Sequence, residues 1–224
     1  MTDQTHNFTV EENKRFWDSN QSTYFGSKHA DSIYFLCKNY IGKAVLDAGA
    51  GDGSMMRALK KLVPTANIRA VDLAPKSDDV EQGDLSNLTY NDNSFDTVLF
   101  MEVIEHLPQS DIDNILKELK RVLRPEGHLI LTTPYKENLT QAQVCCPKCE
   151  TVFHRYGHQQ SFSENDIASL FSKTGLSPAE ITVIKMNRIK RLKFLGAALL
   201  KSEFMQRQSR NARGQRNLIC IGRK

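Results

Sequence analysis

No apolar run in this chain reaches the roughly 18 residues that a membrane-spanning helix needs. Its first residues, MTDQTHNFTVEENKRFW, also lack the basic-then-apolar order of a secretory signal, so the expectation is a cytoplasmic location. Cysteine is scarce and odd in number, five in 224 residues with three of them between Cys145 and Cys149. A disulfide framework does not fit a reducing compartment, and metal or catalytic use is the sharper reading of those three. Excess charge is small, +4 with a pI near 8.7, and by itself argues for neither a nucleic-acid nor a membrane partner. Internal repeats and low-complexity tracts are absent. What remains, 40% hydrophobic and 25% charged residues, is the composition of a globular chain long enough for one α/β domain with a full core.

From Ala44 onward, short apolar runs alternate with helical patterns, the sign of a mostly parallel sheet flanked by helices. KAVLDAGAG reads as a first strand, NIRAVDLAP as a second, VEQGDLS as a weaker third, SFDTVLFM as a fourth and GHLILTTP as a fifth. SMMRALKKLVP has apolar positions at helical spacing. In DIDNILKELKRVLRPEG, Ile112, Ile115, Leu116, Leu119, Val122 and Leu123 make one stripe that Pro125 and Gly127 terminate. SFSENDIASLFSKTG carries a capping box, Ser163 with Asp166, and ends at Gly175. LSPAEITVIKM and RNLICIGRK supply the last two strands. Residues 1–42 read as a helical lid or substrate segment, whose Trp17, Tyr24 and Phe25 either cover a ligand or pack a helix. Residues 43–224 read as one domain with insertions at 135–160 and 186–216.

VLDAGAGDG is the strongest chemical signal. An apolar strand ends at Asp47, and Gly49, Gly51 and Gly53 follow at alternate positions before a helix begins. Glycine allows a tight turn and close backbone approach to a ligand, and the N–H groups of a helix start favour an anionic group. A dinucleotide fingerprint wants GxGxxG, but Ser54 stands where its third glycine would be, so the nicotinamide reading loses ground.

With this motif the chain resembles the class I S-adenosylmethionine-dependent methyltransferases, in sequential motifs from Lys43 to Pro134. The resemblance implies a Rossmann-like α/β fold, a mostly parallel seven-stranded sheet with helices on both faces, and S-adenosylmethionine as cofactor. It implies that Asp47, Gly49, Ala50 and Gly51 hold the donor at the loop, and that Asp72 in AVDLAP binds the ribose with Leu73 beside the adenine. Asp84 and Leu85 in QGDLSNL would read the adenine edge, and Met101 and Glu102 would flank the methionine moiety. A carboxylate at Asp72 can accept from both ribose hydroxyls. Methyl transfer from a sulfonium depends on alignment, and needs a base only when the acceptor is protonated.

Two stretches could hold metal. EVIEH puts Glu102, Glu105 and His106 on one face if a helical turn starts there. It is similar to a stretch of the ubiquinone-pathway O-methyltransferases, where such positions are associated with a magnesium ion. The preferred reading lacks the ion, with Glu102 facing the cofactor while Glu105 and His106 cap and pair around the turn. In CCPKCETVFHRYGH, Cys146, Cys149, His154 and His158 are four ligands, the number a closed zinc site requires, with Cys145 spare. The stretch is similar to an insertion, CPxC…FHRxGH, in some methyltransferases of this class, which implies a zinc-pinned loop beside the acceptor pocket. The alternatives are a metal-free loop in which His154 or His158 is the acceptor-side base, and a redox or adventitious cluster. Zinc would exclude catalytic use of the same histidines.

The segment 185–216 carries ten Lys and Arg side chains, among them Lys185, Arg188, Lys193 and Arg216, against Glu203 alone. It reads as a solvated insertion, or as a basic surface for nucleic acid or an anionic membrane. The expected function is methyl transfer to a small molecule. The alternatives are an RNA or other nucleic-acid methyltransferase and a donor-binding protein without turnover. Oligomeric state is not legible.

Overall fold

Alternation of apolar residues decides which way each strand faces, and the sheet inherits two buried sides from it. The structure, a computed structural model, describes residues 8–19, 25–185 and 216–224, with the backbone alone for 25–28. One sheet holds β1 (Ala44–Ala48), β2 (Asn67–Asp72), β3 (Glu81–Gln82), β4 (Phe95–Met101), β5 (Leu123–Pro134), β8 (Ser177–Ile184) and β9 (Asn217–Arg223). Their order is β3-β2-β1-β4-β5-β9-β8, parallel except where β9 pairs antiparallel with β5 and β8. The helices are α1 (Val10–Ser19), α2 (Phe25–Cys37), α3 (Ser54–Leu62), α4 (Gln109–Val122) and α5 (Glu164–Thr174). The remaining strands, β6 (Gln143–Cys145) and β7 (Val152–His154), form a separate antiparallel hairpin.

Period two is visible in the core. Leu46, Val98, Phe100, Leu129 and Leu131 pack with Ile112, Leu116 and Leu119 of α4 and Ile167 and Phe171 of α5. Their strand neighbours Val45, Leu99, Met101 and Ile130 pack the other way, with Ile33 of α2 and Met55, Met56 and Leu59 of α3. A fully buried Leu or Ile contributes about 1.5–3 kcal/mol relative to exposure, so both helical layers are held by the same strands. This is the Rossmann-like class I methyltransferase fold, with helices on both faces of a mostly parallel seven-stranded sheet.

Two sequence boundaries shift. The helical stripe predicted through Leu123 stops at Val122, because Leu123 is extended (ψ 142°) and pairs with Phe95. The fifth strand thus begins before Gly127. The third strand shrinks to Glu81 and Gln82, and the rest of VEQGDLS is loop. The α5 caps form as predicted: Ser163 and Asp166 bond reciprocally and Gly175 takes φ +78°. Most of the basic segment, with Tyr24 and the side chain of Phe25, lies outside the described residues.

Candidate active site at the carboxyl ends of the strands

The carboxyl ends of parallel strands open into loops, and here those loops enclose a cavity of about 430 Å³. Asp47, Gly49, Ala50, Asp72, Leu73, Asp84, Leu85, Met101 and Glu102 all line it, although they come from four separate chain segments. Gly51 supports it from behind, its N–H donating to Asp72 Oδ2 at 2.8 Å.

The glycine loop is closed on itself. Gly49 and Ala50 donate to the Val71 carbonyl at 2.9 and 3.1 Å, Gly53 donates to the Ala50 carbonyl, and Ser54 donates to Asp52 Oδ1 at 2.9 Å. These N–H groups are therefore not free for an anion, contrary to the expectation from the helix start. Gly49 has no substitute: its φ is +77°, and a Cβ would stand 2.4 Å from Val103 Cγ2.

Electrostatics select the ligand further. Six carboxyl residues line the cavity, Asp47, Asp72, Asp84, Glu102, Glu105 and Asp111, and no Lys or Arg does among the described residues. A diphosphate would meet repulsion there and a cation would be attracted. Asp47 sits in the floor with Oδ2 buried and unpartnered, and burial pushes its carboxyl up to about 7 despite a hydrogen bond from the Met56 backbone. Burial also raises Asp72, opposed by hydrogen bonds from the N–H groups of Ala74 to Oδ1 and Gly51 to Oδ2, 2.8 Å each. Each Asp72 oxygen keeps lone pairs for a further donor.

Glu102 takes φ +55°, a region costly for a residue with a Cβ and often found at functional sites. Asn217 Nδ2 donates to both of its oxygens, at 3.2 and 3.1 Å. Burial pushes its carboxyl up to about 7, and burial together with the Glu102 charge raises Glu105 well above the carboxylate range. Glu105 Oε2 accepts from the Thr133 hydroxyl at 3.0 Å. The turn Ile104–His106 is a 3₁₀ turn rather than the helical start that would put Glu102, Glu105 and His106 on one face. The donor cluster that forms here is Glu105, His106 and His158, with one ligand atom each mutually within 4.8 Å, while Glu102 is occupied by Asn217. Burial raises Glu105 and pushes His106 down to about 3, which keeps the imidazole neutral.

The four expected zinc ligands fall in two parts of one hairpin. In the β6–β7 hairpin, His154 pairs with Gln143 at the base, while Cys146 and Cys149 occupy the turn at the far end. The close donor group at the base is Glu137, His154 and His158, and neither cysteine belongs to it. Cys149 is exposed, its Sγ donates to Thr151 Oγ1 at 3.2 Å, and it bonds with Cys146. His154 and His158 instead stack at 4.6 Å and share Glu137, which the sequence reading missed. His158 lines the cavity and His154 lies behind it.

Helix α1 closes the opening. Val10, Asn13 and Trp17 line the cavity, Asn13 Nδ2 donates to the His106 carbonyl at 3.1 Å, and Trp17 meets the His106 ring edge-on at 4.8 Å. Phe8 and Phe16 stack with each other, and Phe8 reaches Phe153 of β7. Trp17, read from the sequence as covering a ligand or packing a helix, thus lines the cavity and packs on His106.

Comparison with known proteins agrees with this geometry. Residues 46–131 match the family model described as "Methyltransferase domain". The chain is 34% identical over 115 residues to a demethylmenaquinone methyltransferase of Lactobacillus johnsonii, covering 43% of this chain and 46% of that protein. It is 29% identical over 141 residues to a ubiquinone biosynthesis O-methyltransferase of Actinobacillus pleuropneumoniae, covering 53% and 58%. The chain thus spans about half the length of these curated relatives. Among solved structures it is similar to the 1,6-didemethyltoxoflavin-N1-methyltransferase of Burkholderia thailandensis, determined with 1,6-didemethyltoxoflavin and S-adenosylhomocysteine. The TM-score is 0.60 at 17% identity, over 96% of this chain and 83% of that one. Among the described residues, no helix is long and apolar enough to cross a membrane.

Proposed function

We propose that the protein transfers a methyl group from S-adenosylmethionine to a small, uncharged acceptor. One observation carries the reading: a cavity at the methyltransferase-type loop lined by six carboxyl residues and, among the described residues, no Lys or Arg. The donor has a sulfonium and an ammonium against one carboxylate, so it is a net cation, and its adenosine end needs no phosphate site. Asp72 would accept from the ribose hydroxyls, Leu73 and Leu85 would flank the adenine, and Asp84 would stand at its edge. Asp47 and Glu102 would face the cationic methionine end beside Met101. These residues bind and align the donor, and alignment of nucleophile, methyl carbon and sulfur supplies much of the rate.

The same charge pattern disfavours anionic acceptors at the site. Nucleic acid or an anionic membrane would have to be held by 185–216, most of which lies outside the described residues. Relatives named for demethylmenaquinone and ubiquinone biosynthesis support a small-molecule acceptor. Zinc on Cys146, Cys149, His154 and His158 forms no part of the proposal, which rests on the donor cavity.

Titration calorimetry tests the donor site. S-adenosylmethionine and S-adenosylhomocysteine should bind and NAD should not, and Asp72→Ala should weaken S-adenosylmethionine at least tenfold. Unchanged affinity in that variant would overturn the assignment. Donor binding without methyl transfer to any of a broad set of acceptors would favour the non-catalytic alternative.

A further inference from the structure

The notable group left unexplained by donor binding is the imidazole stack that His106 and His158 bring to the cavity wall. His106, His158 and His154 lie in a row, with ring centroids 4.7 and 4.6 Å apart. Glu137 approaches from the segment after β5: Oε2 is 2.5 Å from His158 Nδ1, and Oε1 is 3.9 Å from His154 Nε2. Burial works against the Glu137 charge, but the hydrogen bond from His158 and the nearby imidazoles outweigh it and hold the carboxyl below its usual range. An ionised carboxylate accepts only, so at 2.5 Å the proton is on His158 Nδ1.

That contact fixes the rest of the ring. A neutral imidazole protonated at Nδ1 has its lone pair at Nε2, on the opposite edge, and His158 is the member of the His154–His158 pair that lines the cavity. His154 is oriented the other way. Its Nδ1 accepts the His158 backbone N–H at 3.2 Å, so its proton is on Nε2, buried and facing Glu137. The two histidines, equivalent in the sequence, are therefore not equivalent in the fold.

We propose that His158, oriented by Glu137, is the proton acceptor of the reaction, and that the acceptor substrate is a neutral aromatic hydroxyl of phenol or catechol type. The same cavity wall carries Trp17, Tyr156, Leu107, Pro108 and Ile115, with Tyr156 6.0 Å from the His158 ring, a surface suited to a flat ring. In the step, the hydroxyl proton passes to His158 Nε2 while the oxygen lone pair forms the new bond to the methyl carbon. The S–CH₃ bond breaks and its electron pair stays on sulfur as a neutral thioether. The positive charge of the sulfonium thus reappears on the imidazolium, where Glu137 opposes it. Glu137 is a positioning residue and does not touch substrate. The other titratable groups facing His158 are His154, His106, Glu105, Glu102 and Tyr156.

This inference rests on the methyltransferase reading, and its test separates the two. The full chain, labelled with ¹⁵N-histidine and saturated with S-adenosylhomocysteine, is studied by long-range ¹H–¹⁵N correlation, the His158 signal being assigned with His158→Gln. Absence of S-adenosylhomocysteine binding in calorimetry would sink the donor site itself and leave the tautomer measurement standing. The expected result is His158 protonated at Nδ1, lost as the dominant tautomer in Glu137→Gln. Nitrocatechol is then the probe: its phenolate absorbance should appear on binding to the wild-type complex and fall at least tenfold in Glu137→Gln and His158→Gln. S-adenosylhomocysteine affinity within twofold of wild type shows that each variant is folded. Methyl transfer to the probe, where it occurs, should lose kcat in Glu137→Gln with little change in KM. A wild-type His158 protonated at Nε2, or a tautomer indifferent to Glu137→Gln, overturns the proposal whether or not the probe binds.

Discussion

Asp47 is kept for what it does in the cavity and at a cost to the fold. Its Oδ2 is buried without a partner, and burial pushes the carboxyl up to about 7. An unpaired buried polar group costs about 1–3 kcal/mol. Asp47→Asn removes the charge that burial opposes while preserving shape, so at pH 8 the ligand-free protein should be more stable. Urea denaturation measures this. The same variant should bind S-adenosylmethionine more weakly, because the cationic end of the donor loses a partner. A variant both less stable and equally tight would mean that Asp47 belongs to the core alone.

At the level of elements, α1 and the β6–β7 hairpin make contrasting predictions. Helix α1 brings the sole tryptophan of the sequence, Trp17, onto the cavity. Intrinsic fluorescence should therefore change in intensity or wavelength when S-adenosylhomocysteine is titrated in. A flat response would remove α1 from the site. The hairpin presents Cys149 exposed at its turn, bonded only locally to Thr151 and Cys146. Cys149→Ser should change stability by no more than about 0.5 kcal/mol, with or without a chelator, as surface substitutions do. A larger loss, reproduced in wild type by the chelator, would restore a structural metal at the turn.

Over the whole molecule, the carboxyl-rich cavity couples donor binding to pH. Asp47 and Glu102 are both pushed up to about 7 in the folded protein, above their ordinary 3.8 and 4.5. The folded state thus holds protons between about pH 4 and 7 that the unfolded chain has released. Stability of the ligand-free protein should accordingly fall as pH rises through that window and level off above it. A cationic donor favours the ionised carboxylates, so its affinity should rise with pH through about 7, by up to about tenfold per unit for each proton released. Calorimetry in buffers of different ionisation enthalpy counts those protons. Affinity independent of pH from 6 to 8 would mean that neither carboxyl faces the bound cation.

The alternating strands, the glycine loop and the acids at β1 and β2 were legible because each rests on local rules. Period-two burial sets a strand's faces, glycine tolerates positive φ, and an acid at a strand end stands at the carboxyl-end rim wherever the chain goes next. Asn217 and Glu137 were not legible. The first is 115 residues from the Glu102 it holds, and the second is 21 residues from His158 across a hairpin, so no periodicity connects them. The spacing of Cys146, Cys149, His154 and His158 is legible in the sequence, but not that the hairpin carries the cysteines at its turn and His154 at its base. The sequence by itself determined a methyltransferase-type sheet and which residues would gather at the carboxyl-end cavity, because those properties follow from pattern and backbone chemistry. Only the tertiary structure decided which histidine has a lone pair toward the acceptor, because that depends on contacts between segments that meet only after folding.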